Sequence, residues 1–315
     1  MTVKTSLSDS DFIKILYDYD LGQYCGSEPI VKGSVQTNYI VRTSGGKYIF
    51  RYYENRSKES ASFETNLIRY LKRKNYPCPE PIANLHGRCI GTHEGKPFCF
   101  FEFFEAKDVE NPSEEQSKQL IRKAAELQDI TKKYRPSNKN YRWNYSPELC
   151  KQLAEEKAEK LNTLTAKKKL TWIQAELAKL ILPKPLPKGI CHCDFHYSNV
   201  LFDNDQFKAL IDFDDANYTY LVFDLVGLVE SNAWPHKKDE VLDFDQARKT
   251  VDEYSRYRPL TRVEKRHLFD VYKLSILFDS IWFMDRGNAQ NCRERRKIDF
   301  LNRIGAAQFY ANIFQ

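Results

Sequence analysis

The chain lacks the features that mark secreted and membrane proteins. Its eight cysteines are scattered, without the close and regular spacing of a disulfide framework. No apolar run opens the chain as a secretory signal does, and no apolar stretch approaches the length of about 18 residues that a membrane span needs. These absences predict a reduced, soluble, cytoplasmic protein.

The chain also has no long basic block interleaved with aromatic residues, no internal repeat and no low-complexity segment. Its 49 basic and 43 acidic residues leave a net charge of only +6. This mild basic bias is compatible with an anionic substrate such as a nucleotide, and it gives little support to nucleic-acid binding. We expect a small-molecule substrate, no nucleic acid and no membrane partner, and the oligomeric state, monomer or homodimer, stays open.

One short cluster of cysteines resembles a metal site at first sight. Cys191-His-Cys193 is followed by His196. The Cys-x-Cys spacing is tighter than the roughly two to four intervening residues of zinc sites, and no second ligand pair follows. We therefore predict that these cysteines are small apolar packing residues at the end of a strand.

What the chain does have is enough apolar material for a large interior. Hydrophobic residues make up 42% and aromatic residues 14% of its 315 residues. A chain of this length usually forms more than one core, which predicts two lobes. We place the boundary after a nearly apolar strand, so that the lobes are residues 1–105 and 106–315.

Strand patterns dominate the first lobe. Paired glycines at 45 and 46 separate two alternating runs, which predicts a hairpin. A helix is predicted over 57–75, and its Glu64 either meets Arg51 or is solvated. The remaining predicted elements are a helix from 8 to 20 and strands at 29–35, 38–43, 47–53, 88–90 and 97–104.

The second lobe is predominantly helical. Helical periodicity and capping residues predict helices near 113–132, 148–162, 167–182, 220–232, 244–257, 262–286 and 292–313. The fold class predicted from both lobes is α+β, with an antiparallel sheet first and helices after it.

One stretch interrupts the helices with short strands and polar loops. It runs from Gly189 to Asp203 and contains Asp194 and Asn199, and Asp212 follows a second short strand. Carboxylate and amide oxygens at such positions suit Mg²⁺, which prefers hard oxygen ligands. The spacing His-x-Asp-x-x-x-x-Asn, followed by strand, turn, strand and Asp, is that of a kinase catalytic loop. Phosphoryl transfer is therefore the predicted chemistry.

These motifs, His192-Cys-Asp-Phe-His-Tyr-Ser-Asn199 and Ile211-Asp-Phe-Asp214, resemble those of the aminoglycoside phosphotransferase and choline kinase family. The resemblance covers nearly the whole chain, since Asn38-Tyr-Ile-Val, Tyr48-Ile-Phe-Arg-Tyr and Phe63-Glu match it in the first lobe. It implies a bilobal protein-kinase-like fold and phosphorylation of a small-molecule hydroxyl with ATP and Mg²⁺. The first lobe would bind the nucleotide, and the second would carry the catalytic loop and the acceptor pocket.

The resemblance also implies roles for particular residues. Asp194 corresponds to the catalytic base, Asn199 and Asp212 to the Mg²⁺ ligands, and Arg51 to the cation on the nucleotide phosphates. Arg replaces the usual Lys, and it can grip phosphate through its planar fork. The expected nucleotide-binding residues are completed by Glu64 as the partner of Arg51, by Ser34 and Thr37 near the phosphates, and by Phe101 and Phe103 at the lobe hinge.

The acceptor is less sharply defined by the motifs. Several runs, among them Cys78-Pro-Glu-Pro81 and Asn232-Ala-Trp234, resemble the bacterial homoserine kinase branch, whereas His196 and Asp214-Asp215 are more similar to antibiotic or choline kinases. Homoserine is the expected acceptor. Choline or another amino alcohol, an aminoglycoside and methylthioribose stay open, as does a kinase-like protein without activity. Candidate acceptor-binding residues are His196, Asp214, Asp215, Trp234 and Arg286.

Overall fold

The computed structural model describes residues 4–33, 35–234, 241–285 and 293–315. Contacts divide the chain into two compact units. Unit 1 comprises Met1–Asn111, Tyr134–Arg142 and Tyr197–Asp214, and unit 2 comprises Pro112–Lys133, Trp143–His196 and Asp215–Gln315. The division between residues 105 and 106 stays a prediction, since contact-defined units need not coincide with domains that fold independently.

A six-stranded sheet forms the centre of unit 1. Its strand order is β1-β2-β3-β6-β4, β5 also pairs with β6, and every pairing is antiparallel. The β2–β3 hairpin turns tightly at Gly45, where an added Cβ would lie 2.6 Å from the Leu21 carbonyl oxygen. The strands are β1 Tyr24–Pro29, β2 Thr37–Thr43, β3 Gly46–Tyr52, β4 Pro81–Ile82, β5 Gly91–His93 and β6 Lys96–Glu102.

Two helices of unit 1 begin at serine caps. Helix α1 (Asp9–Leu16) follows Ser8 and α2 (Lys58–Lys72) follows Ser57, and each serine side chain accepts a hydrogen bond from a backbone N–H of the first turn. Phe12 of α1 packs edge-on against Phe50 of β3, with ring centroids 5.2 Å apart. This aromatic contact fixes α1 on the sheet.

The remaining elements carry the polar loops and the helices. Strand β7 (Lys188–Cys191) pairs with β10 (Asn217–Tyr220) in unit 2, and β8 (Val200–Asp203) pairs with β9 (Gln206–Leu210) in unit 1. The helices of unit 2 are α3 Glu114–Thr131, α4 Pro147–Leu161, α5 Leu164–Leu177, α6 Val222–Ala233, α7 Phe244–Tyr257, α8 Arg262–Trp282 and α9 Arg293–Phe314. Among the described residues, no helix is long and apolar enough to cross a membrane.

Several predicted elements were misplaced, and one of them is the helix expected at 167–182, which is α5 at Leu164–Leu177. The strand expected at 29–35 is β1 at 24–29, because its antiparallel register with β2 pairs Tyr24 with Thr43 and Pro29 with Tyr39. The strand expected at 88–90 is β5, because a two-residue turn pairs His93 with Lys96. The first helix ends at Leu16 instead of residue 20. The chain turns after Leu16, and this turn buries Tyr19 and Leu21.

Candidate active site

The β8–β9 hairpin positions the two predicted metal ligands. Asn199 ends a short 3₁₀ turn directly before β8, and Asp212 follows β9. Val200 pairs with Leu210, and the Asn199 carbonyl accepts a hydrogen bond of 2.9 Å from the Ile211 backbone N–H. The hairpin therefore places both oxygen-bearing side chains at the same end.

Arg51 on β3 is the centre of a polar cluster in unit 1. Its guanidinium lies 2.9 Å from a Glu64 carboxylate oxygen and 3.0 Å from a carboxylate oxygen of Asp212. Its Nε donates to Asn38, which is its neighbour across β2 and β3, and Tyr53 donates its hydroxyl hydrogen to Glu64. The contact between Arg51 and Glu64 that the sequence left open is therefore present.

The electrostatics of this cluster keep Arg51 charged. Burial acts against the charge of the guanidinium, but the carboxylates of Asp212 and Glu64 outweigh it and raise the pKa of Arg51. Glu64 is only 1% exposed, and its burial raises the pKa of its carboxyl while Arg51 opposes that effect. The cluster thus places the fixed cation of Arg51 beside the Asp212 carboxylate, which is partly open to solvent.

Asp214 is held inside unit 1. Arg56 donates to both carboxylate oxygens, at 3.0 and 3.1 Å, and Gln36 donates to one of them at 2.9 Å. Arg142 donates to the Asp214 backbone carbonyl. Arg56 holds the pKa of Asp214 below its ordinary value although burial acts the other way. We therefore propose that Asp214 braces the loop that carries Asp212, instead of binding the acceptor.

In unit 2, the loop after β7 presents Asp194. The Asp224 carboxylate anchors this loop, because it accepts hydrogen bonds from the backbone N–H groups of His192, at 3.1 Å, and Cys193, at 2.8 Å. Gln128 donates to the same carboxylate at 3.2 Å. Burial raises the pKa of Asp224 to about 6, while the two backbone donors act in the opposite direction.

Backbone strain is present in both loops. Cys193 has φ 64° and Asp212 has φ 61°, a left-handed conformation that residues with a Cβ seldom adopt. Such strain is found where a surrounding hydrogen-bond network fixes the backbone, and it is common at functional sites. Each of these residues lies at or next to a predicted functional carboxylate.

Asp194 lies in the wall of a cavity of about 150 Å³ within unit 2, and His196 lines the same cavity. The lining residues of α6 and α8 recur at spacings of one, three and four residues, so each helix presents a single face to the cavity. That lining includes Phe223, Gly227 and Glu230 from α6, and Tyr272, Ile276 and Asp279 from α8.

The other predicted residues have different surroundings. Thr37 is buried and donates its hydroxyl hydrogen to Glu54 at 2.5 Å, and Phe101 lies under the Arg51 guanidinium in the sheet. Lys47 lies 5.3 Å from the ring centroid of Phe103.

Trp234, a predicted acceptor-binding residue, is 3% exposed and packs against other aromatic rings. The Asp215 carbonyl accepts a hydrogen bond from Asn217. Ser34 and Arg286 lie outside the described residues.

The sequence reasoning missed Asp224, Asp279 and Arg56. Asp224 and Asp279 each sit alone within an apolar helical stretch, Val222-Phe-Asp-Leu-Val226 and Leu277-Phe-Asp-Ser-Ile281. A single carboxylate there must be hydrogen-bonded, paired or turned to a cavity, because burying it otherwise is costly. That pattern was available in the sequence. Arg56 left no comparable signal.

Comparison with known proteins decides the family. The model of the phosphotransferase enzyme family matches residues 27–260, which is most of the chain. The chain belongs to this family. It is accordingly a small-molecule phosphotransferase, as the motifs at 192–214 predicted.

Named relatives extend the comparison over most of the chain. A homoserine kinase from Caulobacter vibrioides is 32% identical over 279 residues, covering 85% of this chain and 84% of the relative. A homoserine kinase from Methylobacillus flagellatus is 28% identical over 269 residues, covering 84% of this chain and 81% of the relative. The predicted resemblance to this branch is confirmed.

Solved structures agree on the fold. An amicoumacin kinase in complex with AMP-PNP, Ca²⁺ and Ami superposes with a TM-score of 0.63 at 15% identity, covering 95% of both chains. A spectinomycin phosphotransferase in complex with ADP and spectinomycin gives a TM-score of 0.60 at 16% identity, covering 97% of both chains. The predicted α+β, kinase-like fold is confirmed.

Proposed function

We propose that this protein is a homoserine kinase, which transfers the γ-phosphoryl group of ATP to the side-chain hydroxyl of homoserine. The cavity that contains Asp194 carries the proposal. Its volume of about 150 Å³ is close to that of an engineered cavity that holds benzene. It therefore suits an acceptor of a few heavy atoms better than a multi-ring antibiotic. Relatives named homoserine kinase support the same acceptor.

The residues of unit 1 fit a magnesium nucleotide. Asn199 and Asp212 offer hard oxygen ligands, and the described residues contain no group of three or more His, Cys, Asp and Glu side chains that could hold a metal ion. Mg²⁺ commonly takes one or two protein oxygens and completes its shell with phosphate and water. Bound Mg²⁺ would neutralise charge on the phosphates during transfer.

Protein side chains would supply the remaining chemistry. Asp194 would accept the hydroxyl proton as the acceptor oxygen forms its bond to the γ-phosphorus and the bond to ADP breaks. Arg51, fixed by Glu64, would hold the phosphates as a cation whose orientation is set before the nucleotide binds. Asp224 would keep the Asp194 loop in place. These roles are proposals that the geometry supports.

A panel of acceptors tests this function directly. ADP release should be measured with homoserine, choline, methylthioribose and an aminoglycoside, each with Mg²⁺ and ATP. We expect homoserine to give the highest kcat/KM by at least about 10-fold, because a site that hydrogen-bonds its substrate rejects analogues that leave its polar groups unpaired. A higher value for another acceptor would replace homoserine. ATP binding without turnover of any acceptor would favour an inactive kinase-like protein.

A further inference from the structure

The carboxylate of Asp279 faces the cavity in unit 2, and none of the described residues donates a hydrogen bond to it. Asp279 lies on the last turn of α8, on the same helical face as Tyr272 and Ile276. Its side chain is accessible to water from the cavity although protein surrounds it. Within the described parts of the chain, no side-chain or backbone donor contacts this carboxylate.

The surroundings of Asp279 add negative charge. Asp194 and Glu294 lie near enough to act on it electrostatically. Glu294 is 5% exposed, and its Oε2 atom is buried with no hydrogen-bond partner in the described ranges. Burial first, and then these two carboxylates, raise the pKa of Asp279 to about 7. Among the described residues, no cation therefore compensates the charge of Asp279.

Glu230, a further acidic residue of the cavity lining besides Asp194 and Asp224, has different partners. Glu230 on α6 accepts hydrogen bonds from the Tyr272 hydroxyl, at 2.9 Å, and from Lys297 on α9. The charge of Glu230 is neutralised by Lys297 within the protein, whereas no described cation neutralises the charge of Asp279. The contrast picks out one carboxylate of the lining as the place for an external cation.

We propose that Asp279 binds the ammonium group of the acceptor and thereby determines specificity for amino alcohols. This inference rests on the proposed function, since it assumes that the acceptor hydroxyl lies at Asp194. Asp279 and Asp194 share one small cavity, so a short molecule with an amine and a hydroxyl can reach both. A charged hydrogen bond to the ammonium would compensate the negative charge of this carboxylate.

The test combines one substitution with one substrate change. Asp279→Asn keeps the size of the side chain and removes its charge, and 4-hydroxybutyrate keeps the hydroxyl and carboxylate of homoserine without the amine. We expect Asp279→Asn to lower kcat/KM for homoserine by at least about 10-fold and to change the rate with 4-hydroxybutyrate far less. The preference of the native enzyme for homoserine should largely disappear in the variant.

The matched control is Asp252→Asn, which removes a carboxylate from the exposed surface of α7. Thermal unfolding at pH 8 should show that Asp279→Asn is folded and no less stable, because it relieves repulsion between carboxylates. If both enzymes keep the same ratio of homoserine to 4-hydroxybutyrate activity, the proposal for Asp279 is wrong and the kinase function stands. If the native enzyme phosphorylates neither compound, the proposed function itself fails.

The pH dependence gives a second readout. A carboxyl whose pKa is raised to about 7 loses its charge as the pH falls through that value, whereas the homoserine ammonium stays charged. The KM for homoserine should therefore rise below about pH 7 in the native enzyme, and this rise should be absent in Asp279→Asn. An identical pH profile of KM in both would contradict the proposal. The other titratable or charged groups around the cavity are Asp194, His196, Asp224, Glu230, Arg293, Glu294 and Lys297.

Discussion

At the scale of single residues, this protein is defined by how its buried carboxylates are satisfied. Glu64 has Arg51, Asp214 has Arg56, and Asp224 has two backbone N–H groups. Each arrangement offsets part of the cost of burying a charge. Asp279 differs from these three, because its side chain is accessible from the cavity and the described residues give it no partner, and this difference points to a ligand.

Asp194→Ala tests the proposed base. The substitution removes the proton acceptor, so kcat with homoserine should fall by about 10²-fold or more. The Kd for Mg²⁺ and ATP should stay within a few-fold of the native value, because the proposed nucleotide ligands lie in unit 1. Stopped assays of phosphorylated product and calorimetric titration of the nucleotide measure the two quantities. Turnover at the native rate in Asp194→Ala would show that this residue is not the base. The control is Asp203→Ala, which removes an exposed carboxylate at the end of β8 and should leave both quantities unchanged.

At the scale of elements, short strands and helix starts set the geometry of the loops. Thr261 caps helix α8: its side chain accepts a hydrogen bond from the Glu264 N–H, while the Glu264 carboxylate accepts one from the Thr261 N–H. This capping box fixes where the helix starts, and therefore which residues face the cavity. The loop that carries Asp194 depends in the same way on β7 and on Asp224 of α6.

Asp224→Asn tests this dependence. The amide keeps one acceptor oxygen and turns an N–H₂ group toward backbone donors that need an acceptor. We expect the free energy of unfolding to fall by about 1–3 kcal/mol, the usual cost of leaving a buried donor unsatisfied. The kcat should fall more than the KM for ATP changes, because the loop of Asp194 loses its anchor.

Urea unfolding and steady-state kinetics, with Asp252→Asn as the exposed control, check this prediction. Equal proportional losses in kcat and in the fraction of folded protein would assign Asp224 a purely structural role.

At the scale of the whole molecule, the proposed chemistry is distributed over two units. Unit 1 holds Arg51, Asn199 and Asp212, and unit 2 holds Asp194 and the cavity. Ligand binding to the folded protein alone adds RT ln(1 + [L]/Kd) to its stability, about 2.7 kcal/mol at 100 times Kd. The nucleotide and its metal can therefore be detected without any assay of turnover.

Mg²⁺ with ATP should raise the midpoint of thermal unfolding by several degrees at saturation. Chelation of the metal, or the substitution Asp212→Asn, should remove most of this increase, because a carboxylate is the stronger proposed metal ligand. Differential scanning fluorimetry over a range of nucleotide concentrations measures the effect. An increase of the same size without Mg²⁺ and in Asp212→Asn would show that Asp212 does not hold the metal.

The sequence by itself determined the family, the chemistry and most elements, because these depend on local spacing. The loop motifs, the glycine hairpin and the serine caps each act over a few neighbouring residues. Strand register was less certain, and β1 and β5 were misplaced because a strand takes its position from its partner.

Only the tertiary structure decided which carboxylates pair and which face a ligand. Arg56 reaches Asp214 from 158 positions away in the sequence, and such a contact leaves no local signal. The same holds for the cavity, where α6, α8 and the loop of Asp194 meet. The tertiary contacts of Asp214 therefore favour a structural role for it instead of the predicted acceptor binding. Tertiary packing also places Asp279 in the lining of the same cavity as Asp194.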